Sequence, residues 1–412
     1  MNERIRSDFP VTREMTYLDT AYDSPYPLPV LRQAQAFLEA RTNGTAGRTS
    51  DWADVMDQSR RLIAELINAK PAEISITTNT TEGTNVVATS LRLEPGDNVV
   101  WDDLDYPSNI VVWLNQERAR GVENRVVENK GGMLHLADFE RVVDTKTKVI
   151  SISHVSDRNG YVHDLRALAD LAHAHGAYIH VDGSQAVGAI QVDVKSAGID
   201  FLTCGAYKWL LGPIGLAFFY VREELLPVLE PVFGGWRQVK EWQPYPPYPL
   251  RLYPREFYSS ARKFEYATVH FQGVFELKAA LDYIRGIGMD KIEEQVLRLS
   301  SRLWKGLKYL GSELTTPPET RSGIVTSVVN DGQKTFQLLR ENKIVASVKP
   351  VDDPREYVAR DKKLAGSAPP GSYLRISPHF FNTEEEIDHL LSVLESRIEL
   401  LRPPSGGGPI LA

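Results

Sequence analysis

The 412-residue chain has one cysteine, no apolar run of 18 residues and no surplus of positive charge. Each shortage excludes something. A single cysteine can form no internal disulfide, and it supplies neither a zinc ribbon nor a CxxC redox pair. Without a long apolar run no segment is expected to span a membrane. The opening MNERIRSDFP is charged and has no apolar h-region, so no secretory signal is expected and the N-x-T sequons at Asn43 and Asn79 read as chance. Basic residues number 47 against 54 acidic ones, a net charge of −7, which argues against a broad nucleic-acid-binding surface. There is no GxxxxGKS/T, no strand-linked GxGxxG and no GxSxG nucleophile elbow. His173 and His175, with His180 and Asp182 nearby, are the most metal-like group. They close an expected helix with Gly176 just past its end, and residues two apart on a helix point to nearly opposite faces, so no metal site is expected. A soluble cytoplasmic protein is the expectation.

What is present is an alternation of β-rich runs and helical patterns from about residue 71 to 221. ISITT (74–78), DNVVW (97–101), KVISIS (148–153), AYIHVD (177–182), DFLTC (200–204) and LAFFYV (216–221) are separated by helical stretches, among them one from Thr80 and one near 107–119. Several runs are almost continuously apolar, as strands buried on both faces are. The alternation predicts an α/β fold with a mainly parallel sheet. Pro29 is placed to start an earlier helix, and Ser50 to cap one running to about Ala69. Residues 236–258 are rich in proline and aromatics without periodicity, the mark of a functional loop or an interface. Together with 42–50 they are candidates for substrate selection, through Tyr248 and Arg48. Long helices resume at Val269, followed by a smaller α+β region. The expected division is an N-terminal segment 1–28, a large domain 29–268, a small domain 269–402 and a disordered tail 403–412.

Asp182 in YIHVDGSQ and Lys208 in TCGAYKWLLGP each close an expected strand. In doubly wound sheets that edge is where ligands bind. A lysine beside apolar strands can have a depressed pKa and bond to carbonyl compounds, and an aspartate one strand away suits a pyridinium nitrogen. Taken alone, Lys208 is more often a solvated or salt-bridged lysine, and the pair alone is a weak signal. NTTEGTN (79–85) begins a helix after a strand and offers amides and the hydroxyls of Thr80 and Thr81 to a phosphate. DYPSN (105–109) puts Tyr106 after another strand, ARKFEYATVH (261–270) precedes a long helix, and YLRISPHFFNTEEEID (373–388) carries Arg375, whose fork suits a carboxylate.

In this order VDGSQAVG, YKWLLGPIG, FEYAT and RISPHFFNTEEEID resemble the class V aminotransferase family of fold-type I enzymes, over about Tyr17 to Leu400. The resemblance implies a fold-type I large domain, a homodimer with shared active sites, and pyridoxal 5′-phosphate (PLP) held by Lys208. It implies that Asp182 keeps the pyridine nitrogen protonated, that Gln185 lies near the phenolic oxygen, and that Tyr106 stacks on the ring with Tyr207 close by. Thr80 and Thr81 would bind phosphate, Thr268 would reach the partner's phosphate, and Arg375 and Tyr22 would meet the substrate. Asp157 in SHVSDRNG stands where many relatives carry an asparagine that contacts the phenolic oxygen; a carboxylate there is repulsive unless one of the two is protonated, so either the pKa values shift or the local register differs.

YLDTAYDSP, YKWLLGP and RISPHFFNTEEEID further resemble an isopenicillin N epimerase-like and cysteine C–S lyase branch. The expectation is therefore a C–S lyase that removes the Cα proton and β-eliminates from an S-substituted cysteine. The alternatives are an epimerase, an aminotransferase, a decarboxylating oxidative deaminase, or a catalytically silent binding protein. Cysteine desulfurases of the family carry a catalytic cysteine on a loop before the Arg375-like strand, and residues 343–372 contain none. A persulfide-forming desulfurase is thus expected to be excluded.

Overall fold

The computed structural model describes residues 3–47, 49–240, 256–318, 321–350 and 372–401. Thr16–Tyr17 forms the first strand, β1. Six later runs, β2 (Ile74–Thr77), β3 (Asn98–Asp102), β4 (Glu123–Val127), β5 (Thr147–Ser153), β6 (Tyr178–Asp182) and β7 (Phe201–Gly205), join β8 (Ala217–Val221) in a seven-stranded sheet ordered β2-β8-β7-β6-β5-β3-β4. Only β8 runs against its neighbours. Alternate side chains feed the two faces: Val99 and Trp101 pack into one core and Val100 into the other, and Phe219 and Val221 likewise oppose Phe218 and Tyr220. Burial on both faces is why these strands read as unbroken apolar runs. ENRVV of β4 was not among the expected strands; it lies at the sheet edge, opens with polar residues and stays partly exposed.

Sequence-encoded ends set the helices. Asn79 accepts a hydrogen bond from the amide of Glu82 at 2.8 Å and starts the helix Thr80–Ser90. Asp164 does the same for Leu165–Ala174, which ends with Gly176 in the left-handed region at φ +72°. The helix Leu28–Thr42 has proline in its first turn, as expected. The next helix spans Thr49–Leu66, so Ser50 lies inside its first turn rather than at its cap.

The smaller sheet holds β9 (Val325–Val329), β11 (Ser347–Pro350) and β12 (Ser372–Ile376) in the order β11-β12-β9, all antiparallel. Between them in sequence, β10 (Ile344–Val345) pairs in parallel with β1, and Asp19 bridges Ser377, so the N-terminal segment threads across this sheet. The helix Phe271–Ile287 packs Val274, Leu277 and Leu281 with Phe37 in the core of the large sheet, although the expected boundary assigned it to the small domain. Met289–Tyr309 spans both: Ile292 and Val296 enter that core, and Leu299, Leu303 and Leu307 join Leu374 and Leu390 in the other. Among the described residues no helix is long and apolar enough to cross a membrane. The tail 403–412, Arg48 and Tyr248 lie outside the described residues.

Candidate active site

Lys208 sits one turn beyond the end of β7, in a loop fixed by its own backbone. The amide of Ala206 donates to Leu216 O at 3.0 Å, that of Leu211 to Lys208 O at 3.0 Å, and that of Gly212 to Ala206 O at 2.9 Å. The loop holds Leu211 at φ +58°, a left-handed conformation that costs a non-glycine residue about 1–2 kcal/mol. Gly188, at φ +94°, backs the loop so closely that a Cβ there would stand 2.5 Å from Trp209 O. Trp209 is fully buried and anchors the turn. The Lys208 side chain points into a buried site between two rings, its Nζ 5.5 Å from the centroids of both Tyr106 and Tyr207. Burial lowers the pKa of this amine, opposed by the charges of Asp157 and then Asp182. Burial likewise pushes the Tyr207 hydroxyl up to about 12.

Asp182, the last residue of β6, is gripped on both oxygens. The Ser184 amide donates to Oδ1 at 2.8 Å, and Asn109 Nδ2 donates to Oδ2 at 3.1 Å. Asn109 is itself held by Asp105 Oδ1 at 3.1 Å, which also accepts from Ser153 Oγ at 2.5 Å and from the Tyr106 amide at 2.7 Å. Asp105 is fully buried, and burial followed by the nearby Asp102 charge drives its carboxyl well above the ordinary range. Asp105 and Asn109 flank Tyr106 in DYPSN and were not among the expected site residues. Their i,i+4 spacing at a helix start was the available signal. His154 donates its amide to Asp182 O at 2.9 Å, and burial pushes its ring down to about 3, so it is neutral.

The N-terminus of the helix Thr80–Ser90 faces the same strand ends. Ser184 Oγ bridges Thr80 Oγ1 at 3.1 Å and the Gly205 amide at 3.3 Å. A Cβ on Gly83 would lie 2.5 Å from Thr203 Cγ2, so glycine is what lets this helix settle onto β7. Thr81 is half-buried in the first turn. Free amides at such a terminus favour an anion.

Arg375, on β12, is buried to 1 % exposure and brings the small sheet to the site. Its Nη1 donates to Asp157 O at 3.1 Å and to Asp157 Oδ2 at 3.4 Å, and its Nη2 reaches Ser347 Oγ at 3.4 Å and Asp19 Oδ1 at 3.6 Å. Among the described residues its Nε has no partner. Lys349 Nζ lies 3.7 Å from Asp157 Oδ2. The repulsion expected of Asp157 is thus met by two cations, while its Oδ1 stays buried without a partner among the described residues. Ser347, Lys349 and Asp19 were not foreseen as members of the site.

The remaining expected residues fall in different places. Tyr22 is 63 % exposed at the rim, near Tyr106 and Tyr207. Gln185 spends its amide on structure, donating to Ala21 O at 3.0 Å and accepting from Trp209 Nε1 at 2.8 Å. Thr268 is exposed on the single chain, and the buried Arg60–Glu265 pair fixes the segment before it. His173 pairs with Asp200 at 2.9 Å, whereas His175 Nδ1 lies 3.0 Å from Leu171 O, so the two do not converge.

The family model described as Aminotransferase class-V matches residues 16–390. A probable cysteine desulfurase of Methanothermobacter thermautotrophicus is 32 % identical over 401 residues, covering 95 % of this chain and 97 % of its own. A probable cysteine desulfurase of Pyrococcus abyssi is 30 % identical, covering 97 % and 98 %. The apo structure of a cysteine desulfurase from Thermococcus onnurineus NA1 superposes with a TM-score of 0.83 at 26 % identity, over 97 % of this chain and 99 % of that one. These findings overturn two expectations. The relatives are named as desulfurases, against the expected C–S lyase or epimerase, and the exclusion of a persulfide-forming desulfurase does not stand.

Proposed function

Because this chain belongs to the class V aminotransferase family, we propose that it is a desulfurase that takes the sulfur from a cysteine substrate and leaves alanine. Its cofactor is pyridoxal 5′-phosphate. The observation that carries the reading is the buried Lys208 amine, of lowered pKa, one strand away from a doubly gripped Asp182. The names of the relatives supply the substrate.

The residues fit the cofactor by their chemistry. When bound, PLP supplies a carbonyl for amines and an electron sink for the bond broken at Cα. Lys208 is the attachment point, because burial favours its neutral, nucleophilic form. Asp182 would keep a proton on the pyridine nitrogen, and the Asn109–Asp105 chain fixes the orientation of its carboxylate without competing for charge. Thr80, Thr81 and the helix amides take the phosphate. The Tyr106 ring covers one face. Arg375 takes the substrate carboxylate, which holds Cα where Lys208 can move its proton. In a homodimer Thr268, exposed here, would reach the partner's phosphate.

Asp157 is the charge that acts most strongly on Lys208. It favours a proton on that nitrogen, together with Asp182 and against Arg375 and Lys349. Asp157→Asn is therefore expected to lower the pH at which the visible absorbance of the PLP-loaded protein titrates. An unchanged titration would remove Asp157 from this role.

The reading is tested by giving PLP-loaded protein L-cysteine with excess dithiothreitol and identifying the carbon product. Alanine is expected. Pyruvate with ammonia, and no alanine, would overturn it.

A further inference from the structure

Sulfur removal that leaves alanine needs a nucleophile to accept the sulfur, because the substrate's C–S bond breaks with its electron pair going to carbon. We propose that the acceptor is a small-molecule thiol from solution, and that this chain never carries the sulfur covalently; the proposal rests on the desulfurase reading. The balance is simple. Cysteine and R–SH give alanine and R–S–SH: an S–S bond forms, the two sulfurs together lose two electrons, and the substrate's Cβ gains them with a proton.

The only sulfur nucleophile in the chain is Cys204, and its place in the fold rules it out. It lies within β7, paired to Phe218 of β8 on one side, with β6 against the same strand on the other. It has no exposed surface and belongs to the core of the large sheet. The reactive species is the thiolate, and burial pushes this thiol well above its usual value. Freeing it would mean pulling a central strand out of the sheet. Five methionines are the only other sulfurs, and a thioether has no proton to exchange for a second sulfur.

The rim of the site, by contrast, reaches solvent on the single chain. Tyr22 and Tyr106, 63 % and 38 % exposed, stand at its rim. Lys349, a third exposed, places a cation beside Asp157 and Arg375, where it draws in a thiolate or the carboxylates of a peptide thiol.

A single-turnover experiment decides the matter with the unaltered protein. PLP-loaded enzyme in excess over L-cysteine leaves no second cysteine to act as acceptor, and glutathione is then added or withheld. Alanine is expected only with glutathione, in equal amount to glutathione persulfide trapped by alkylation, while the intact protein mass gains no sulfur. Alanine without glutathione, or a protein heavier by one sulfur at Cys204, overturns the proposal and leaves the desulfurase reading standing. Pyruvate and ammonia in both arms overturn the two together. Cys204→Ala, if it folds and binds PLP, is expected to keep its rate within twofold; loss of the glutathione-dependent rate at full PLP occupancy would overturn the proposal.

Discussion

Lys208→Ala is expected to end covalent attachment of the cofactor and to lower cysteine turnover by about 10⁴-fold, since in the proposed reaction the same amine serves for attachment and for proton transfer at Cα. The effect is expected to be chemical and not structural. The Ala206–Gly212 loop is held by backbone hydrogen bonds and by the fit of Trp209 against Gly188, none of which uses the lysine side chain. Borohydride reduction checks attachment: it fixes the cofactor to the unaltered protein and leaves it dialysable from the variant. Turnover within tenfold of the parent would remove Lys208 from the chemistry. In the parent, burial lowers the amine's pKa, so the neutral form needed for proton transfer is reached below the range of a free lysine. Activity should accordingly rise with pH through that depressed value and then level off.

The second large effect is expected from Asp182→Asn. The substitution preserves shape and the Ser184 contact but withdraws the negative charge proposed to face the pyridine nitrogen. Turnover is expected to fall by about 100- to 1000-fold, the scale seen when one preorganised electrostatic partner is removed from an active site. Asn109 then meets an amide where it met a carboxylate, and Asp105, fixed by Ser153 and the Tyr106 amide, leaves it little room to turn. Cofactor affinity should drop as well, measurable by titrating apoprotein with PLP. Unchanged affinity together with unchanged turnover would mean that Asp182 does not face the ring.

The central strands were legible because burial on both faces writes itself as continuous apolar sequence, whereas β4, wet on one edge, writes a polar start. Lys208, Asp182 and Arg375 were legible as residues that end strands or bear unusual charge within apolar runs. Their supports were not. Asp105 and Asn109 are small polar residues whose purpose appears only when folding sets them beside Asp182, 73 residues beyond Asn109. Asp19 and Ser347 are 328 residues apart yet share two hydrogen bonds under Arg375. Gln185 shows the converse: beside Asp182 in sequence, it is turned away to brace Trp209. The reaction was misjudged because it rested on the likeness of three segments to a C–S lyase branch and on one absent thiol, although in the proposed reaction sulfur leaves by an acceptor that no residue of the chain encodes.

Arg375 is already clasped by Asp157 and lies close to Asp19, one from the large sheet's loops and the other from the N-terminal segment. In the proposed reaction a substrate carboxylate does not fall onto a bare cation; it must displace resident ones. Binding is then an exchange, and its selectivity lies in what can compete. An amine without a carboxylate, such as the decarboxylated form of cysteine, cannot open the clasp, and so stays outside a site whose cofactor would otherwise accept it.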